Sequence, residues 1–173
     1  MCAAPAASGL GPLSRDQFLV HWQSLPRTGE TPDLAAFLDR SNPLFAPWTL
    51  IVDLGPGDAL PIRLMGTRLV DIFGEYTGKD FLRIMPTALS SVVRQAHQKI
   101  CAVPCGWSTE SRVVTSSGRE VVVHLISLPL RNKSASSVVK LVSVVERLNY
   151  HEAFVKVLDL RTSQWVDLGA GIP

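Results

Sequence analysis

The chain is poor in cysteine, with three in 173 residues, at positions 2, 101 and 105. An odd count without regular spacing does not make a disulfide framework and fits a reducing compartment. Cys101 and Cys105 are four apart with no second ligand pair beside them, so they read as small apolar fillers and no metal site is expected. No apolar run approaches the roughly 20 residues of a membrane-spanning helix. The opening stretch, MCAAPAASGLGPL, lacks both the positive flank and the long apolar centre of a secretory signal. Elimination therefore leaves a cytoplasmic protein as the expectation. Charge excess is also lacking. The 17 Lys and Arg against 15 Asp and Glu leave a formal net charge of +2. No window carries a basic stripe, so nucleic acid is not an expected partner. Catalytic motifs are missing as well. None of the four histidines, His21, His97, His124 and His151, sits in a G-x-S-x-G or H-E-x-x-H context. There is no glycine-rich phosphate loop and no paired-carboxylate cluster. A binding protein is expected in preference to an enzyme.

What the chain does have is a globular composition, 46% hydrophobic and 18% charged, in a length suited to one domain. Residues 1–13 read as a flexible lead. Ser14 and Gln17 have capping-box spacing at the start of an amphipathic helix over residues 14–27, whose stripe is Phe18, Leu19, Trp22 and Leu25. A short helix follows over 32–39. Residues 48–54 and 60–65 alternate like strands around the turn sequence GPGD, which makes a hairpin. Three helical segments come next: a short one that Gly74 stops, another around Phe81 to Met85, and a longer one over 87–102. The last third alternates as three strands over 107–115, 119–130 and 137–148. Residues 150–161 carry Phe154, Val157 and Leu158 at helical spacing and predict a terminal helix, with the remainder a tail around Trp165. The fold class is α+β, with one antiparallel sheet covered on one face by the middle helices.

The order β-β-α-α-α-β-β-β, over residues 28–149, is that of the PAS fold. The segment IRLMGTRLVDIFGEYTGKDFLRI, Ile62 to Ile84, resembles the GTR…FG…TG signature of single-domain PAS-like proteins typical of alphaproteobacteria. TPDLAAFL near the start, LPL at Leu128–Leu130 and DLGAGIP at the end are further similarities. The resemblance implies a five-stranded antiparallel sheet, a cavity between sheet and helices, a sensory role and frequent homodimers. With only a helix or tail expected at 150–173, the partner that receives the signal is expected to be a separate protein.

Placed on this plan, the expected cavity wall is Trp48, Met65, Leu69 and Phe73 from the first half, and Phe81, Met85, Val93 and Trp107 from the second. Such a wall suits a small, mostly apolar ligand. Alternation in VVVHLISLPL puts His124 on one face with Ile126, and Ser143 follows on the next strand. Both raise the question of a polar contact to that ligand, or else to the protein's own backbone. His97 lies beside the apolar side of its helix, at the position from which haem-binding PAS domains offer an axial ligand, or else as a half-solvated boundary residue. A flavin photosensor would need a cysteine between Gly66 and Met85, and there is none. The stripe Phe18, Leu19, Trp22 and Leu25 either folds onto its own sheet or, as preferred, forms a homodimer contact. The main reading is a ligand-regulated sensor. Its alternative is an interaction adaptor with a fully packed core.

Overall fold

The computed structural model describes residues 14–133, 136–144, 148–149 and 151–173. The expected flexible lead lies outside the described residues. Ser14 caps α1, Arg15–Ser24, accepting from the Gln17 amide. The short helix α2 follows at Leu34–Asp39. Strands β1, Thr49–Asp53, and β2, Ile62–Met65, form the expected hairpin. Between them and the rest of the sheet come α3, Thr67–Phe73, a 3₁₀ turn at Phe81–Ile84, and α4, Ser90–Ala102. Three long strands close the expected order: β3, Cys105–Thr115; β4, Glu120–Arg131; and β5, Ser136–Val144.

The sheet is antiparallel with six strands, not five, in the order β2-β1-β5-β4-β3-β6. The sixth, β6, Phe154–Asp167, occupies the place of the expected terminal helix and covers the edge of β3. The helical spacing of this strand has a geometric cause. On β3 the pairing descends Thr115, Val113, Ser111, two residues at a time. On β6 the partners are Phe154, Val157 and Leu160, three residues apart. Val155, Leu158 and Arg161 are the extra residues of three bulges, so a strand acquires the spacing of a helix.

Helices pack on both faces of the sheet, not on one as expected. One core lies under α3 and α4 and includes Leu50, Val52, Leu69, Phe81, Val93, Ile100, Val123 and Val142. The other lies under α1 and α2, where Phe18, Trp22, Leu25, Leu34, Phe37 and Phe45 pack on Ile51, Ile126, Leu128, Leu130, Val139 and Leu141. The stripe expected at a dimer contact is therefore used within the chain. Phe18 and Trp22 are buried, the Trp22 indole Nε1 donates to the Pro129 carbonyl at 2.9 Å, and Leu19 packs at the margin. Phe18 also meets Phe37 and Phe45 edge-on.

Gly66, the first residue of the GTR string, marks where β2 hands over to α3. A methyl group there would sit 2.4 Å from the carbonyl oxygens of Ala46 and Pro47, so only glycine lets these two backbone segments meet. The turn between β3 and β4 is tied down by Glu152, which accepts from Ser117 Oγ at 2.7 Å and Arg119 Nη2 at 2.8 Å. These bonds hold its carboxyl well below the usual carboxylate range. Among the described residues no helix is long and apolar enough to cross a membrane.

Candidate functional site

Cross-strand pairing builds one row of side chains across all six strands on the face beneath α3 and α4. It runs Met65, Leu50, Lys140, Ser127, Trp107, Trp165. Five of these belong in an apolar layer or at its margin. Lys140 does not, being only 2% exposed on a strand with neighbours on both sides. Its Nζ donates to Ser127 Oγ at 2.7 Å and lies 5.2 Å from the centre of the Phe81 ring. Among the described residues it forms no ion pair with a carboxylate. Burial therefore pushes the Lys140 ammonium down to about 7.

Next to this row the core is not filled. A cavity lies between the sheet and the helices, bounded above by Met65, Leu69, Phe73, Phe81, Met85 and Val93. Below it are Trp107, Thr109, Ser111 and Val113 of β3, Leu125 of β4, and Lys140 and Val142 of β5. The centre of a water-sized sphere can roam through about 60 Å³ of it, several times what one water requires. The wall is apolar apart from the Thr109 and Ser111 hydroxyls and Lys140. Its wall residues on β3 run from Trp107 to Val113, six residue steps or roughly 20 Å of strand at about 3.3 Å per step. Phe73, Ile84, Met85, Val113 and Val157 separate it from an outer groove of about 300 Å³ that also holds Arg83 and Lys156.

Seven of the expected wall residues, Met65, Leu69, Phe73, Phe81, Met85, Val93 and Trp107, line this cavity. Trp48 stands between the two cores instead, beneath the Arg68 guanidinium, which also pairs with Asp71 at 3.3 Å. His124, Ile126 and Ser143 are corrected. All three lie on the opposite face. Ile126 is in the core under α1, while His124 is exposed opposite Ser143 and 3.7 Å from Glu110. The inversion has a physical cause. Residues 126–130 of β4 are buried on both faces, so alternation alone cannot say which face meets the cavity. The groups missed were Lys140 and Ser127. Their signal was there: Lys140 is the one charge in the apolar run 138–144, on a strand destined for the middle of a sheet.

His97 is fully buried, not half solvated. Its Nδ1 lies 2.7 Å from the Val93 carbonyl, which can only accept, so Nδ1 carries the proton and Nε2 is a bare acceptor with no partner among the described residues. Burial and the nearby Lys140 ammonium hold the ring neutral, well below its usual range. A bare Nε2 would suit an axial haem ligand, but the space does not: the imidazole packs 5.8 Å from the Phe81 ring, and a slot with room for a few waters cannot hold a porphyrin. Cys101, on the same helix, is pushed up to about 12, chiefly by burial, and stays a thiol. No group of three or more metal-ligating side chains occurs among the described residues. Comparison of the chain with models of protein families, with curated proteins and with solved structures finds no match in any of the three.

Proposed function

We propose that the protein is a sensory module of the PAS type, which binds a small, mostly apolar molecule in the slot between sheet and helices and passes that state to a partner protein. The observation that carries this reading is the unfilled cavity beside Lys140 in the core between the sheet and α3 and α4. An adaptor that used the fold only as a docking surface would have no reason to leave that space or to bury a lysine beside it. The order β1-β2-α3, the Phe81–Ile84 turn, α4, β3-β4-β5, with α3 and α4 laid over one sheet face, supports the PAS reading, to which β6 is an addition. Signalling follows if the ligand favours one arrangement of α3 and the Phe81–Ile84 turn over another, because only differential affinity shifts a population.

Native mass spectrometry of gently purified protein tests the reading. The expected result is an added small mass that is lost on denaturation and is reduced in a Phe73→Trp variant, whose larger ring fills the slot. Protein of bare chain mass that also takes up no apolar molecule on addition would favour the adaptor.

A further inference from the structure

We infer that the ligand is a small apolar monocarboxylate, its carboxylate paired with Lys140 at the deep end of the slot and its tail lying along β3 toward Val113. This rests on the reading that the cavity takes a ligand, and it names that ligand's chemistry. A buried ammonium has three N–H donors. Ser127 Oγ takes one, and no other hydrogen bond of Nζ is found among the described residues. The Phe81 ring face offers a weaker contact. What is missing is a counter-ion, and the remaining wall of the cavity supplies none: it has no Asp or Glu. A ligand carboxylate would meet both needs at once, as an acceptor of charge-assisted bonds in a dry site.

A second observation points the same way. The outer groove, which shares five wall residues with the slot, contains Arg83 and Lys156 and no carboxylate. Its field attracts anions to the surface next to the slot. A neutral ligand would need neither cation, and a cationic one would meet three of like sign. The apolar length between Lys140 and the groove sets the rest of the molecule: one acidic end and an unbranched or flat apolar body, with no second polar group to satisfy beyond the Thr109 and Ser111 hydroxyls.

The test is calorimetric titration with straight-chain carboxylates from butanoate to octanoate and with the matched primary alcohols. It compares wild type with Lys140→Met, which nearly keeps the volume of the side chain and removes its charge. For wild type at pH 7 the carboxylates should bind tenfold or more tighter than the alcohols. In Lys140→Met that preference should vanish while the alcohols still bind. Between pH 7 and 9 wild-type affinity for the carboxylates should fall, by up to tenfold per pH unit, and the variant's should not. The groups packed around the amine leave Lys140 as the one that titrates there. They are Leu50 from β1, Ser127 from β4, Phe81, and from α4 His97, held neutral, and Cys101, held as a thiol. Equal binding of carboxylates and alcohols by wild type, or a carboxylate preference that survives in Lys140→Met, would overturn the inference and leave the cavity reading standing. Failure of both series to bind either protein would overturn the cavity reading itself.

Discussion

Lys140→Met is expected to stabilise the ligand-free protein by roughly 2–4 kcal/mol at pH 7, with the gain shrinking as pH rises. The direction follows from the titration. In the unfolded chain a lysine holds its proton to about pH 10.4; in the folded protein burial brings Lys140 down to about 7. Between those values the unfolded state binds more protons than the folded one, so the wild type gains stability with pH, at most about 1.4 kcal/mol per unit. Below pH 7 the whole penalty for holding the buried ammonium is present. Methionine fills the same volume without it, in the way that apolar replacements of buried ions elsewhere are neutral or stabilising. Urea unfolding at pH 6, 7 and 8.5 measures the difference. Both proteins keep Cys101 and Cys105, whose burial-raised thiols lower stability above about pH 8.5, so the wild-type-to-variant gap isolates Lys140. A variant less stable than wild type at pH 7, or a gap that does not change with pH, would mean that the amine is solvated or paired.

Trp22→Ala is expected to destabilise the protein by about 3–5 kcal/mol, because it removes the largest side chain buried between α1 and the sheet. It also strands the Pro129 carbonyl that the indole Nε1 serves. The loss should appear as a lower urea midpoint with the transition still cooperative, since Phe18, Phe37 and Phe45 join α1 and α2 to the same core. Unchanged stability accompanied by loss of a dimer would instead put α1 in an intermolecular contact.

Much of the fold was legible because local signals agreed with one another. Ser14 and Gln17 marked the start of α1, Gly74 marked the end of α3, and period-two alternation from Trp107 onward marked β3. The terminal strand was illegible for a definite reason: three bulges space Phe154, Val157 and Leu160 as a helix would. The site was half legible. The helix-side wall, Met65 to Val93, follows from segment order alone. The sheet-side wall depends on which face of β4 and β5 turns inward, and that was decided by α1. Once Phe18 and Trp22 claim Ile126, Leu128 and Leu141, the residues left facing α3 and α4 are Leu125, Ser127, Lys140 and Val142, and all of these but Ser127 line the cavity. The polar groups expected at His124 and Ser143 thus give way to Ser127 and Lys140, three residues along on each strand.

The central claim, a lone buried cation at the end of an apolar ligand slot, is tested most directly by following the lysine side chains in ¹³C NMR as pH is raised. The chain has five lysines, and the Lys140→Met spectrum identifies the one in question. The account predicts that in ligand-free protein the Lys140 signal titrates near pH 7, and that saturating octanoate moves its midpoint upward toward the ordinary lysine range. A Lys140 signal that titrates near pH 10 and ignores octanoate would contradict it.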